Sequence, residues 1–146
     1  MKSIMSTVEQ LLTKKGINYI KEYNGLYFEL DGDVETYEME FNIYEEDQYL
    51  ILFVELAETI PENQRSTAAE FIIRVNNDKI GGDFKLDMDE GYVRYKVSNL
   101  LDRKTLTAKM FDKILNGAIG AMDFRYPGFM AICYEEASAI EATKIV

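Results

Sequence analysis

The sequence predicts an α+β protein built on a mainly antiparallel sheet, in the order helix, strands, helix, hairpin, helix. Three observations carry that reading. Between about residues 18 and 58, apolar and polar residues alternate at period two, and turn-forming groups such as Asn24-Gly25 and Asp31-Gly32-Asp33 interrupt them at short intervals. Around 4–12, 68–75 and 110–122 the apolar spacing changes to that of one helical face. Between the second and third of these helices, two short alternating runs flank an acidic, glycine-containing turn.

The first helix has Ile4, Met5, Val8, Leu11 and Leu12 on one face. Ser6 with Glu9 forms a capping box, Ser3 competes as the N-cap, and Gly16 stands where a left-handed C-terminal cap is expected. Four strands follow. Asn24-Gly25 predicts the first hairpin turn. Leu26, Phe28 and Leu30 alternate with Tyr27 and Glu29, and Asp31-Gly32-Asp33 turns the chain. Tyr37, Met39, Phe41 and Ile43 then alternate with Glu38, Glu40 and Asn42, one dry face and one wet. After the turn at 45–48 the alternation fails. Leu50, Leu52, Val54 and Leu56 occupy one face, while Tyr49, Ile51 and Phe53 occupy the other. A strand apolar on both faces predicts cover on both, the second from another helix or another subunit.

Pro61 and Glu62 suit the start of a helix whose stripe is Ala68, Phe71, Ile72 and Val75. It is expected to end near Lys79, with Gly81 or Gly82 reversing the chain. Phe84, Leu86 and Met88, then Val93, Tyr95 and Val97, form the hairpin. The last helix starts near Thr105 and carries Met110, Phe111, Ile114, Leu115, Ala118 and Met122 in register. Gly117 and Gly120 predict the close approach of another backbone, and Pro127 is expected to kink or end the helix. The tail, 136–146, has helix-forming composition and a thin stripe of Ile140 and Ile145, which predicts a frayed helix or one docked on a neighbour.

Composition narrows the chemistry. A chain of 146 residues fits one domain with a substantial core. The net charge of −10 disfavours phosphate backbones, which are bound by Lys and Arg that displace counterions. Nucleic acid is therefore not an expected partner, and a basic protein surface is a better match. The sequence has no histidine, which removes the usual general base and the commonest transition-metal ligand. The lone Cys133, in an apolar run, reads as a buried small hydrophobe in a reducing cytoplasm. The N-terminus lacks the apolar core of a signal peptide, and no window is apolar enough to span a membrane.

No motif assigns a catalytic, cofactor-binding or metal-ligating residue. "DMDEG" fails the calcium-loop pattern: counted from Asp87, the fifth, sixth and twelfth positions are Gly91, Tyr92 and Ser98. It reads as a turn, as does "DGD" at 31–33. In "KIGGDFK" the glycines follow a helix and precede a strand, the reverse of a dinucleotide loop. Glu38, Glu40, Glu55 and Glu58 could converge across strands in the manner of a paired-carboxylate hydrolase, but a solvated sheet face explains them more simply. Asp123, beside Arg125, reads as a structural cap or ion pair near Pro127.

The element order resembles the layout of the type III secretion chaperone-like fold. Within it, the stretch from Phe71 to Leu101 resembles the YbjN family, with Asn76 at the helix end, Gly82 and Phe84 at the strand start, and the turn at Asp89–Gly91. The following "FDKILNGAIGAMDFRYPGF" resembles that family's terminal helix, with Asp123 and Pro127 at its late positions. The resemblance covers about 3–134, and 71–130 is its informative part. It implies a two-layer sandwich with helices on one face of the sheet, a single domain over 1–135, and a bacterial cytoplasmic protein, commonly dimeric. The family is labelled as sensory transduction regulators, and the related fold holds partially unfolded client segments.

The expected function is a non-enzymatic protein-binding module, chaperone-like or a regulatory adaptor, acting as a homodimer through Tyr49, Ile51 and Phe53. The alternative is a small-molecule or ion sensor with a pocket between sheet and helix.

Overall fold

In the structure, a computed structural model that describes residues 2–77 and 81–145, the alternating segment becomes four consecutive strands. They are β1 (Ile20–Glu22), β2 (Gly25–Asp31), β3 (Thr36–Tyr44) and β4 (Tyr49–Glu55). The hairpin supplies β5 (Gly82–Leu86) and β6 (Val93–Leu100). All neighbours pair antiparallel in one six-stranded sheet of order β1-β2-β3-β4-β6-β5. The predicted α+β class with an antiparallel sheet and helices is therefore observed.

The helices α1 (Ile4–Lys14), α2 (Arg65–Asn76), α3 (Ala108–Glu135) and α4 (Ala139–Thr143) share one core with the dry face of the sheet. Phe41 stacks between Phe28 and Phe111, at 5.5 Å from each ring, which fixes α3 against β2 and β3. Phe129 meets Phe71 and Phe84 at 4.9 and 5.4 Å, which joins α3 to α2 and β5. Leu50, Leu52 and Val54 of β4 are fully buried in the same core.

Local details depart from the expectations in instructive ways. Ser3, not Ser6, is the N-cap of α1, and Glu45 of the β3–β4 turn adds a second cap by accepting from the Ile4 and Met5 amides at 2.9 and 2.8 Å. The first hairpin turns at Tyr23-Asn24, because Glu22 pairs with Gly25, and the positive φ falls on Tyr23. Gly25 instead opens β2, where an added Cβ would meet the Tyr27 ring at 2.9 Å. α2 ends at Asn76, and the expected end near Lys79 lies outside the described residues.

Pro127 does not end α3, which runs unbroken through it for 28 residues from an N-cap at Thr107 rather than Thr105. A proline removes one helical hydrogen bond, and here Phe129 and Ile132, both fully buried beyond it, hold the helix in place. Gly117 and Gly120 are not closely approached: nothing lies within 4 Å of either missing Cβ. The glycine that permits contact is Gly128, where an added Cβ would sit 2.6 Å from Phe71. In α4 a capping box of Ser138 and Glu141 starts the helix, and Ala139 and Ala142 enter the core while Ile140 stays exposed.

Candidate interaction surface

Tyr49, Ile51 and Phe53 lie in a row on the side of β4 that points away from the helices. The pairing register places their neighbours. Tyr49 stands between Tyr44 and Leu100, Ile51 between Asn42 and Ser98, Phe53 between Glu40 and Lys96, and Glu55 between Glu38 and Arg94. Successive residues of a strand alternate faces, so these positions share the face opposite the core. Tyr49, Tyr44 and Leu100 are exposed there, and Ile51 and Phe53 are half-buried by their neighbours. The cover expected on both sides of β4 is thus present on one side only among the described residues.

Charges shield the middle of this face. The Arg94 guanidinium lies 3.9 Å over the Phe53 ring and 3.3 Å from Glu40, a cation–π contact and an ion pair that together screen an apolar ring from water. Glu55 sits directly across from both Glu38 and Arg94. Burial holds its carboxyl above the usual range, Arg94 opposes that shift, and Glu38 and Glu40 add to it. Segment 16–20 forms the wall of a cleft of about 790 Å³ on this side, with Tyr27, Glu29, Phe53 and Arg94 along it. A second hollow, about 500 Å³, lies between the sheet and α3 and is lined by Tyr95, Val97, Ile114 and Gly117.

The other sequence candidates resolve as structure. Asp123, on α3, is a cap, as one of its two readings held, and what it caps is the β2–β3 turn. Its Oδ1 accepts from the Tyr37 hydroxyl at 2.6 Å and its Oδ2 from the Asp33 amide at 2.8 Å. The Tyr37 ring is wholly buried, and burial followed by the Asp123 carboxylate drives its ionisation far above the normal tyrosine range. Glu38, Glu40 and Glu55 share the open face, but Glu58 does not join them. Its Oε1, like Oε2 of Glu35, lies 3.2 Å from the Tyr126 hydroxyl. Cys133 is half-buried rather than buried, and burial, then Glu58, raises its thiol pKa. In "DMDEG" the Asp87 carboxylate accepts from the Asp89 and Glu90 amides, and Gly91 has φ +83°. The turn reading holds.

One feature of the β5 edge escaped sequence reasoning. Asn76 accepts from the Phe84 amide at 2.9 Å and donates to its carbonyl at 3.1 Å. The side chain imitates one residue of a neighbouring strand and so blocks the middle of an edge that no strand pairs with among the described residues.

No protein-family model matches the chain, and no curated protein matches it in sequence. Solved structures do match. YbjN from E. coli aligns with a TM-score of 0.59 at 15% identity, over 80% of this chain and 83% of its own. A chain of the HopA1–SchA chaperone–effector complex gives 0.55 at 14%, over 82% and 89%. One from the ExsC–ExsE complex gives 0.54 at 16%, over 84% and 93%. At such identities the likeness is one of fold. The protein therefore has the fold that YbjN shares with the type III secretion chaperone complexes, and the resemblance read from Asn76, Gly82, Phe84 and the long terminal helix holds at that level.

Proposed function

We propose that this protein is a non-enzymatic, cytoplasmic protein-binding module that works as a homodimer, with Tyr49, Ile51 and Phe53 at the centre of its interaction surface. The observation that carries the reading is the uncovered face of β4. A central strand with apolar residues on both sides is helix-covered on one side only among the described residues, and an apolar patch rimmed by polar residues is one mark of an interaction site. The fold supports the reading, because a chain from the HopA1–SchA chaperone–effector complex and one from the ExsC–ExsE complex share it.

The test is Phe53→Asp in the full chain. Mass in solution is read by light scattering, and partner capture by crosslinking in the source cells followed by mass spectrometry. The substitution should lower the mass toward the monomer and abolish capture. If both stay unchanged, this surface is not the one used.

A further inference from the structure

The register of the open face gives its charges a definite layout. On the β2 and β3 side the outward charged positions are Glu29, Asp31, Glu38 and Glu40, and on the β6 and β5 side they are Arg94, Lys96 and Lys85, with Asp83 the exception and Asp31 left without a basic counterpart. The strand between them presents Tyr49, Ile51 and Phe53. A two-fold axis lying in this face along β4 would turn a second copy face down, keep each residue's height along the strand, and exchange the two sides. Glu38 then meets Arg94 of the second copy, Glu40 meets Lys96, and Glu29 meets Lys85, each contact occurring twice. Tyr44 meets Leu100, Tyr27 meets Asp83, and Ile51 meets itself, while each Phe53 stays beneath the Arg94 guanidinium of its own chain. Glu55 alone faces its own like charge, with Arg94 beside it in each chain.

We propose that the occupant of the open sheet face is a second copy of this chain, docked about that axis. The inference rests on the homodimer reading above and gives it a face and a set of contacts. A self-complementary patch is what an isologous dimer requires, and this one is complementary in charge as well as in apolar area. A foreign basic segment would suit the glutamate side but would lie against Lys85, Arg94 and Lys96. The second copy inverts the pattern and satisfies both sides. Five strand spacings of about 4.8 Å and seven residues at about 3.3 Å make a footprint on the order of 550 Å² before side-chain relief. That approaches the roughly 600 Å² per partner at which stable interfaces begin. Facing sheets pack at an angle of about −30°, which displaces the outer columns most, so the inner pairs Glu38–Arg94 and Glu40–Lys96 carry the test.

Glu38→Arg and Arg94→Glu are made separately in the full chain, folding is checked by circular dichroism, and mass is followed by native mass spectrometry and light scattering at low salt. The unaltered chain should run at twice 16.9 kDa. Each variant alone places like charges in contact and should dissociate roughly tenfold more readily or worse. Mixed together they should form a heterodimer, because both contacts are again of opposite sign. If either variant fails to fold, Glu40→Lys and Lys96→Glu make the same comparison. A monomeric unaltered chain overturns the inference, as does a dimer indifferent to the substitutions or variants that do not re-pair on mixing. A dimer that re-pairs yet captures no partner refutes the protein-binding function and leaves this interface standing. Partner capture by a monomer, or by a dimer indifferent to the charge changes, does the reverse.

Discussion

Replacing Asp123 by alanine should cost the protein about 3 kcal/mol, and the structure says where that energy resides. The Asp123 carboxylate accepts from the Tyr37 hydroxyl at 2.6 Å and from the Asp33 amide at 2.8 Å. A hydrogen bond to a charged group contributes about 1.5–3 kcal/mol, and a buried donor left without an acceptor costs about 1–3 kcal/mol. The Asp33 amide is exposed enough for water to replace its acceptor, so most of the loss comes from the buried Tyr37. Tyr37→Phe removes the donor and leaves one carboxylate oxygen unfilled, for about 1.5 kcal/mol. Once either partner is gone, removing the other loses less. The double variant should therefore fall short of the summed single losses by about 1.5 kcal/mol, well beyond the ~0.5 kcal/mol within which independent sites add. Urea unfolding of all four proteins, followed by circular dichroism with equal m-values, measures this coupling. Additivity within that margin would refute the claim that Asp123 acts through Tyr37, and with it the account of why an acid is kept beside Phe124 on α3.

Three further outcomes follow from named contacts. Asn76→Ala removes both Asn76 hydrogen bonds to the Phe84 backbone and should lose about 1–2 kcal/mol. It should also raise concentration-dependent scattering as the β5 edge opens to pairing, and unchanged scattering would deny Asn76 its edge role. Glu45→Gln keeps one acceptor for the α1 amides and turns an NH₂ toward the other, at the positive end of the helix dipole. The expected loss is about 1 kcal/mol with faster amide exchange at Ile4 and Met5. Glu55 titrates above its unfolded value, so the folded chain holds its proton longer and stability falls as pH rises through that titration. Glu55→Gln should match the unaltered protein in acid, where both side chains are neutral, and exceed it at neutral pH. The gain should be a few tenths of a kcal/mol, the scale of a cross-strand like-charge pair. A gain at low pH and none at pH 7 would reverse the sign and refute the argument.

What could be read without coordinates was whatever depends on period and polarity. The dry faces of β2 and β3, the stripe of α1 and the turn at Asp89–Gly91 follow from residues close together in sequence, and the structure has them as read. What could not be read depends on distant partners. Pro127 carries a local penalty that predicts a break, but Phe129 meets Phe71 and Phe84, and those contacts hold the helix through it. Asn24-Gly25 has the strongest local turn preference, yet the turn moves back one residue because Gly25 is required beneath the Tyr27 ring. Asn76 was recognisable as a position and not as a function, since its partner is the edge of β5. The candidate surface was half legible. Tyr49, Ile51 and Phe53 were apparent from β4 alone, but their setting between an acidic and a basic column requires knowing that β6 lies beside β4 and β5 outside it.

That setting also allows the sheet to act as its own control. β3 and β4 are adjacent, similar in length, and covered on the same side by the same helices. Their core faces are equally apolar. On the open face β3 carries Glu38, Glu40 and Asn42, an ordinary wet face, while β4 directly beside it carries Ile51 and Phe53. Helix packing explains neither residue, because neither points toward a helix. Strand propensity does not separate the two strands strongly enough, since the whole scale spans only about 1 kcal/mol. Even the Arg94 guanidinium over Phe53 covers a single ring and leaves Tyr49 exposed. The helices thus leave the apolar surplus of β4 unexplained; it is what the proposed second copy would cover, and the opposite charges that flank it restrict how that copy can dock.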